Sequence, residues 1–411
     1  MPPQASWLLR RPAAVLGALL LLSWPCLAEQ RNTPSRPVLR VSPQERQQAI
    51  RAARVWEPFD PTGVDVVQGP KAEQGRSFRF AETLRCTFVD PDQLPQPLGG
   101  MTQKFLCRSE DGSVLKVSYD LNNHEIFAEV AASRLHWILG FNVHTTTSVR
   151  VECRNCPRDP WAWYSLTPAE RQRYRTGQPP AERPPTSAWN HRFTPGLQVF
   201  IPATVETPSP GVPIETAQQQ GWSFAELALL NQQNRQLAAT QKQQRDALIL
   251  LNSVLQNADT KAENQQLVCL DPGVQNARPE PCQNSVLLID DLGWSFGRGY
   301  RLGRPFESSK MRLDHWREAP VWKDRSRCVT GIQPALDGTL RPTRISEAGR
   351  QFLLQRFALL SQQQKEDIFR SARVEMQQIN AGAPEQWGEP ADWARVLDSK
   401  FAEIAAVRCP A

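Results

Sequence analysis

The chain has 411 residues, of which 40% are hydrophobic and 22% are charged. This composition excludes a wholly disordered chain and is sufficient for two or three packed cores. The formal net charge is only +6, and basic residues are interspersed with acidic ones, so nucleic acid is not an expected partner.

The first 28 residues have the features of a cleaved export signal. Arg10 and Arg11 precede an apolar run at 13–24, and Cys26-Leu27-Ala28 offers small residues at a cleavage site. The run has about 12 residues, too few for a membrane-spanning helix, and no longer apolar run follows it. We therefore expect a soluble, secreted or periplasmic protein that begins at Glu29 and has no transmembrane segment.

Eight cysteines remain in the expected mature chain: Cys86, Cys107, Cys153, Cys156, Cys269, Cys282, Cys328 and Cys409. An even number of cysteines in an exported protein indicates disulfide bonds. A zinc ion at Cys153 and Cys156 is the alternative. Zinc usually takes four ligands, however, and the sequence has no second Cys-x-x-Cys or histidine pair.

The elements up to residue 151 indicate a small β-rich unit. Residues 29–80 are rich in Arg, Gln and Pro and are predicted to be an arm or linker with one helix at 43–55. Short β-prone runs then predict an antiparallel sheet with strands at 84–89, 105–108 and 113–119. A helical pattern from Asn123 to Leu139 is stopped by Gly140, and a strand at 143–151 follows.

The second half of the chain is predicted to be mainly helical. Residues 154–196 contain Trp161, Trp163 and Trp189 without a sustained period and indicate a long insertion. Its aromatic residues are typical of a loop packed onto a domain, and a sugar or partner site is the alternative. The remaining elements are a strand at 197–205, helix from Trp222 to 251, strands at 265–270 and 285–290, and helices at 346–360, 362–379 and 393–407. The expected fold class is α+β.

The polar loop at 257–264 contains the first candidate catalytic residues. Asp259, Lys261 and Asn264 have the spacing of a kinase catalytic loop. In such a loop the aspartate accepts or orients the proton of the attacking hydroxyl, the lysine balances charge on the transferred phosphoryl group, and the asparagine binds a metal ion. The usual His-Arg pair is replaced by Asn257-Ala258, and a capped surface turn is the alternative interpretation.

The strand that follows ends in Asp290-Asp291-Leu292-Gly293. An apolar strand followed by Asp-Leu-Gly resembles the metal-binding Asp-Phe-Gly element of kinases. We assign the metal-binding carboxylate to Asp291, beside Asn264, with Asp290 as the alternative; two acids that merely end a hairpin remain the simpler interpretation. Cys269 and Cys282 flank the loop of this hairpin, and a disulfide there would offset a loop-closure cost of about 3 kcal/mol.

Candidate phosphate-binding residues lie in the first half of the chain. Lys116 lies in a half-buried strand pattern, and Glu129 lies among apolar residues of the 123–139 helix. Because an unpaired buried carboxylate is costly, we predict that Glu129 pairs with Lys116, with Glu125 as the alternative. Two solvated surface charges are the simpler interpretation. Upstream, Gly99-Gly100 and Lys104 form a predicted phosphate-covering turn, where missing side chains let backbone amides approach an anion.

Together these segments resemble atypical kinases of the secretory-pathway group typified by the Golgi casein kinase and, more distantly, type II phosphatidylinositol 4-kinases. The matching features are Gly99-Gly100 with Thr102 and Lys104, the Lys116 strand, the Glu129 helix ending in Leu139-Gly140-Phe141, the Asp259 loop, and Asp291-Leu292-Gly293-Trp294-Ser295-Phe296-Gly297. The resemblance covers roughly residues 82–300. Residues 154–196 and 301–345 depart from the pattern, so the resemblance does not extend to the acceptor-binding surface.

The resemblance implies a two-lobed kinase-like fold, with a small lobe at 81–205 and a helical lobe at 206–411. It also implies ATP with Mg or Mn, and phosphate transfer to a secreted protein or glycan. A catalytically inactive binding or scaffolding module of the same fold is the alternative. A third possibility transfers another nucleotide fragment or uses a small sugar as acceptor. The absence of a Gly-x-Ser-x-Gly elbow argues against a hydrolase, and the five histidines lack metal-ligand spacing.

Overall fold

The computed structural model describes residues 37–71, 76–94, 98–100, 102–177, 192–208, 210–230, 235–271, 282–380 and 387–410. The predicted export signal, Met101 and Trp189 lie outside the described residues. The strands are β1 (Leu39–Arg40), β2 (Thr83–Phe88), β3 (Lys104–Ser109), β4 (Val114–Tyr119), β5 (Thr146–Cys156), β6 (Gly196–Glu206), β7 (Val212–Glu215), β8 (Gln265–Cys269), β9 (Ser285–Ile289), β10 (Trp322–Asp324) and β11 (Val329–Thr330). The helices are α1 (Pro43–Ala52), α2 (His124–Ile138), α3 (Pro160–Tyr164), α4 (Pro168–Arg175), α5 (Arg235–Leu255), α6 (Pro305–Ser309), α7 (Leu313–Glu318), α8 (Glu347–Ala358), α9 (Gln362–Ser371) and α10 (Pro390–Ala405).

The first five long strands close into a barrel in the order β2-β3-β4-β6-β5. The sequence predicted these strands but only a small antiparallel sheet. The barrel closes because β2 pairs in parallel with β5, with Cys86 opposite Cys153. The two strands are far apart along the chain, and no local sequence pattern indicates that they pair. The barrel has its own apolar interior, which includes Phe105, Val117 and Val151.

Helix α2 confirms the prediction of a helix that stops at Gly140. Gly140 has a φ of +90°, and a Cβ at this position would lie 2.6 Å from Nε1 of Trp56. Only glycine accommodates both constraints, so the helix must end here. Phe127 and Leu135 are fully buried and belong to the main core, which α2 shares with α5 and the β7-β8-β9 strands.

Residues 37–71 of the expected arm pack into this main core, and Phe78, in the other described part of the arm, packs in the barrel interior. Strand β1 extends the four-stranded sheet β1-β7-β8-β9 by pairing in parallel with β7. Ile50 of α1 is fully buried, and Oγ of Ser285 donates to the carbonyl of Ala49 at 2.7 Å. The high Arg and Gln content concealed the few apolar positions through which this segment is anchored.

The insertion at 154–196 contains two short helices that periodicity did not reveal. Each begins with a capping residue followed by proline, Asp159-Pro160 for α3 and Thr167-Pro168 for α4. Proline is favoured in the first turn of a helix, and the Asp and Thr side chains accept from backbone amides there. Helices of five and eight residues are too short to show an apolar period.

All eight cysteines of the expected mature chain form disulfides, in the pairs Cys86–Cys107, Cys153–Cys156, Cys269–Cys282 and Cys328–Cys409. The prediction of disulfides is confirmed, and the pairing of Cys153 with Cys156 replaces the zinc alternative. The helix predicted at 362–379 is interrupted after Ser371, because Arg373 has a left-handed φ of 56° and the chain continues as a 3-10 helix. Within the described residues, no helix combines the length and apolarity needed to span a bilayer.

Candidate active site

The loop at 257–264 connects α5 to β8 and is held from several sides. The amide of Ala258 donates to the carbonyl of Trp294 at 3.0 Å, and the amide of Ala335 donates to the carbonyl of Ala258 at 2.8 Å. The amide of Leu340 donates to Oγ1 of Thr260 at 2.9 Å. Ala258 and Thr260 are fully buried, so the loop is a fixed internal element and not a simple surface turn.

Asp259 contacts both of the other polar residues that the sequence singled out in this loop. Nζ of Lys261 lies 3.3 Å from Oδ2 of Asp259, and Nδ2 of Asn264 donates to the Asp259 carbonyl at 2.9 Å. Burial raises the pKa of Asp259 above its ordinary value; Lys261 opposes this shift and the Asp337 carboxylate adds to it. The carboxylate is therefore a better proton acceptor than an exposed aspartate.

The β8–β9 hairpin brings the two sequence-predicted acidic elements to one end. In the antiparallel register, Gln265 lies opposite Ile289. Asn264 directly precedes this pair and Asp290 directly follows it, so the 257–264 loop ends and the Asp290-Asp291-Leu292-Gly293 segment begins at the same end of the hairpin. The amide of Asp290 donates to Oε1 of Gln265 at 3.3 Å. This side-chain hydrogen bond extends the backbone hydrogen bonds between β8 and β9 by one residue.

Asp290 and Asp291 have different local roles. Asp290 Oδ1 lies 2.9 Å from Nδ1 of His144 and accepts the amide of Asp291 at 2.9 Å, while Oδ2 accepts from Nε2 of Gln266 at 2.6 Å. Both oxygens of Asp290 are thus engaged by protein donors. Asp291 has a left-handed φ of 48°, a conformation that is uncommon for residues other than glycine but that aspartate adopts more readily than most.

His144 links the Asp290 carboxylate to the end of the barrel. Its Nδ1 faces Oδ1 of Asp290, and its Nε2 lies 2.5 Å from the carbonyl oxygen of Thr207. Each ring nitrogen of His144 therefore lies within hydrogen-bonding distance of an oxygen atom. The sequence analysis treated His144 as an ordinary structural histidine; in the structure it links the Asp290 carboxylate to the Thr207 carbonyl.

Lys116 forms an ion pair with Glu206, the last residue of β6. Burial raises the pKa of Glu129, the negative charge of Glu206 raises it further, and Lys116 lowers it. Asp290 and His144 also influence Glu129 electrostatically, so these groups form one charge cluster between the barrel and the β8–β9 hairpin. The predicted partner Glu129 belongs to this cluster, and Glu206 is a partner of Lys116 that the sequence analysis missed.

Glu125, the alternative partner considered for Lys116, accepts a hydrogen bond from Trp294. Nε1 of Trp294 donates to Oε1 of Glu125 at 2.8 Å. A Cβ added to Gly293 would lie 2.9 Å from Cβ of Glu125, so glycine at this position allows α2 to approach the Asp-Leu-Gly segment. The first turn of α2 therefore packs directly on the segment that carries Asp291.

The predicted phosphate-covering turn lies between β2 and β3. Gly100 has a φ of 84°, which glycine adopts without strain. Lys104 begins β3, is only 5% exposed and lies opposite Ser118 of β4. The amide of Tyr119 donates to the carbonyl of Gln103 at 3.1 Å, so the downstream end of the turn is fixed to β4, the strand of Lys116.

A buried hydrogen-bond chain connects α2 to the 257–264 loop. His136 Nδ1 lies 2.8 Å from the Ala132 carbonyl and is therefore the protonated nitrogen, which leaves Nε2 to accept from Nδ2 of Asn252 at 3.1 Å. Oδ1 of Asn252 accepts from Nδ2 of Asn257 at 3.0 Å. All three side chains are fully buried. Asn257 is the residue that departs from the kinase pattern, and here it anchors the loop through Asn252.

The residues that the sequence analysis missed, Glu206, His144, Gln266 and His136, share one property. Each acts through a partner that is distant along the chain, and none lies in a short motif. Only the register of the strands and the packing of α2 reveal them.

The matches found by comparison with solved structures include two kinases. The crystal structure of a Helicobacter pylori proinflammatory kinase, CtkA, has a TM-score of 0.37 and 10% identity, covering 75% of this chain and 92% of that chain. The Golgi casein kinase has a TM-score of 0.31 and 12% identity, covering 79% of this chain and 73% of that chain. Its Mn/ADP-bound crystal structure has a TM-score of 0.31 and 13% identity, with 79% and 72% covered.

The Golgi casein kinase also typifies the group that the sequence motifs resemble. No protein-family model matches the chain, and a search of curated proteins finds no match. At identities of 10–13% no residue role is transferred from the neighbours, and the roles proposed below depend on the contacts described above.

Proposed function

We propose that the protein is an exported atypical kinase that transfers the γ-phosphoryl group of ATP to a hydroxyl of a secreted protein or glycan. In this proposal the barrel and α2 form the small lobe of a two-lobed kinase-like fold, and most of the chain after residue 206 forms the larger lobe. The observation that carries the proposal is the meeting of the Asp259 loop with the Asp290-Asp291 segment at one end of the β8–β9 hairpin.

Lys116 would bind the α and β phosphates of the nucleotide. Its ion pair with Glu206 holds the ammonium in the charge cluster. The carboxylates of Glu206 and Asp290 carry negative charge there, whereas burial raises the pKa of Glu129 to about 8 and keeps that carboxyl group largely protonated at neutral pH. A divalent cation would offset the negative charge of the triphosphate beside these carboxylates, so we expect the metal-bound triphosphate to bind better than the bare tetra-anion.

The oxygen donors of the site fit Mg²⁺ or Mn²⁺. Nδ2 of Asn264 is used by the Asp259 carbonyl, so Oδ1 is the amide atom that remains for a cation. Asp291 supplies the carboxylate, since both oxygens of Asp290 already accept hydrogen bonds. When bound, the metal would neutralise charge on the phosphates.

Asp259 would orient the acceptor hydroxyl and take its proton. The hydroxyl oxygen forms the new bond to the γ-phosphorus, the bond from phosphorus to the β–γ bridging oxygen breaks, and ADP departs. The raised pKa of Asp259 suits the proton-accepting role. Lys261, 3.3 Å from this carboxylate, would balance charge on the transferred group. Gly99, Gly100 and Lys104 would cover the phosphates from the barrel.

Four disulfides fit an oxidising, extracytoplasmic compartment and so support export. The scaffolding alternative has less support, because a module without catalysis has no need for the raised proton affinity of Asp259.

The test is phosphate transfer from radiolabelled ATP with Mn²⁺ or Mg²⁺, to the protein itself and to a mixture of exported proteins and glycans. The mature protein is compared with Asp259→Ala and with Asp398→Ala, a control in which an aspartate of α10 loses its ion pair with Lys365. We expect labelling by the wild type and the control, and a loss of about 10³-fold or more in Asp259→Ala. Equal labelling by all three proteins would contradict the role of Asp259.

A thermal-shift assay separates the kinase from the scaffolding alternative. ATP with metal should raise the melting temperature of the wild type through linkage, and Asp291→Ala should abolish the rise. A protein that shows this rise but never transfers phosphate would be a nucleotide-binding module.

A further inference from the structure

The insertion helices, α3 and α4 at residues 160–175, make directed polar contacts with one connection of the barrel. This connection runs from Val89, at the end of β2, through Gly99-Gly100 to Lys104, at the start of β3. The contacts reach the part of the connection before the glycines and the strand after them. The sequence analysis assigned no role to this insertion.

Tyr164 bridges the two strands that flank the connection. Its Oη donates to the carbonyl of Val89 at 2.6 Å and accepts from the amide of Leu106 at 3.2 Å. The amide of Val89 also donates to the carbonyl of Leu106 at 3.0 Å. The Tyr164 hydroxyl therefore joins the end of β2 to β3 at the point where the connection leaves the barrel.

Two arginines of α4 hold the first turn of the connection. Arg171, which is 5% exposed, donates from Nη2 to Oδ1 of Asp92 at 2.5 Å. Arg175 contacts Asp90 and Asp92, each at 2.8 Å. The hydrogen bond from Arg171 lowers the pKa of Asp92 below its ordinary value, so this carboxylate stays ionised and paired. Packing of the insertion alone does not require a buried arginine, because an apolar residue fills such a site at lower cost.

A third contact joins α3 to the strand of Lys116. The amide of Trp161 donates to Oη of Tyr119, the last residue of β4, at 3.0 Å. Tyr119 is also the residue whose amide fixes the carbonyl of Gln103 at the downstream end of the glycine turn. The insertion is thus linked to both sides of the Gly99-Gly100 turn.

We propose that the insertion helices position the Gly99-Gly100 turn for the nucleotide phosphates, with Tyr164, Arg171 and Arg175 as positioning residues that set the affinity for ATP–metal. The inference rests on the proposed kinase function and extends it to a segment outside the kinase-like motifs. A turn whose flanking strands are fixed presents its backbone amides to an anion at a lower cost in conformational entropy. The insertion should therefore act on nucleotide affinity and leave the transfer step unchanged.

The experiment compares Tyr164→Phe, Arg171→Ala and Arg192→Ala with the wild-type mature protein. Phenylalanine preserves the ring of Tyr164 and removes only the hydroxyl, so this variant should fold. Arg192 pairs with Asp159 inside the same insertion at 2.6 Å and serves as the matched control. Calorimetry gives the dissociation constants of Mn–ADP and Mn–ATP, and transfer assays give KM and kcat.

We expect Arg171→Ala to weaken nucleotide binding and raise KM by about tenfold, with kcat within about twofold, because the contact of Arg171 with Asp92 affects the position of the phosphate-covering turn and not the transferred group. Tyr164→Phe should change affinity by about three- to fivefold, and Arg192→Ala by less than about twofold. Exchange of the charges, Arg171→Asp with Asp92→Arg, should recover part of the lost affinity. Wild-type affinity in both Tyr164→Phe and Arg171→Ala would overturn the proposal.

Amide hydrogen exchange without nucleotide separates this inference from the function on which it rests. The Leu106 amide should exchange faster in Tyr164→Phe and at the wild-type rate in Arg192→Ala. If the wild type bound no nucleotide while Tyr164→Phe still loosened Leu106, the proposed function would fail and the positioning of the turn would stand. Unchanged exchange at Leu106 would refute the positioning itself.

Discussion

His136 should give the protein a measurable pH dependence of stability. Burial lowers the pKa of His136 from 6.5 to about 4. Below pH 6.5 the unfolded chain takes up a proton at this residue, whereas the folded chain resists protonation until about pH 4. The free energy of unfolding therefore falls as the pH is lowered through this window and is constant, as far as His136 contributes, above and below it. A difference of two to three pKa units corresponds to about 3 kcal/mol.

The perturbation is His136→Gln, because glutamine does not titrate and retains an oxygen that can accept from Asn252. Urea unfolding at several pH values between 4 and 7 gives the free energy of unfolding for both proteins. The variant should be less stable at pH 7, where the hydrogen bond between His136 and the Ala132 carbonyl is lost. Between pH 7 and pH 4 the difference in free energy of unfolding between the wild type and the variant should change by about 3 kcal/mol in favour of the variant.

Ser133→Ala is the matched control, since Ser133 is a fully buried residue of the same helix whose hydroxyl donates to the Val130 carbonyl at 3.1 Å. It should shift the stability curve without changing its pH slope. Parallel curves for His136→Gln and the wild type would refute the reasoning, because they would show that His136 titrates equally in the folded and unfolded chains.

Two further predictions concern the disulfides and the proton acceptor. Chain-entropy arguments give about 4.5 kcal/mol for Cys328–Cys409, which closes 81 residues, and about 3 kcal/mol for Cys269–Cys282, which closes 13. Serine replacement of the first pair should therefore lower the urea midpoint more than replacement of the second; the reverse order would contradict the loop-length argument. Because burial raises the pKa of Asp259, kcat should fall on acidification with a midpoint above the ordinary 3.8. Lys261→Ala should move that midpoint higher, since the lysine favours the ionised carboxylate; pH–rate profiles measure both, and a midpoint moved downward would refute the assignment.

The sequence predicted those features of the fold and of the site that depend on residues close together along the chain. The 3.6-residue period and Gly140 located α2 to within a residue or two at each end, and continuous apolar runs located β8 and β9. The spacing of Asp259, Lys261 and Asn264 identified three residues that contact one another in the structure.

What the sequence did not reveal depends on long-range geometry. Glu206 pairs with Lys116 only because β6 lies beside β4, with Val205 opposite Val117. The parallel pairing of β2 with β5 and the contacts of Tyr164 with Val89 and Leu106 likewise join segments separated by dozens of residues. Such pairings depend on the registry of the whole barrel and have no periodic or compositional signature.

The parallel pairing of β1 with β7 constrains the order of events during synthesis. Leu39 of β1 lies opposite Ile214 of β7. Strand β1 can therefore pair only after about 175 further residues have been synthesised. The barrel, contained within residues 83–206, can be complete by then. During synthesis from the N-terminus the barrel would therefore fold first. Ile50 of α1, which is fully buried in the complete structure, would still be exposed at that stage and accessible to a chaperone. Docking of the earliest segment would be among the last steps to complete the sheet whose end bears Asp291.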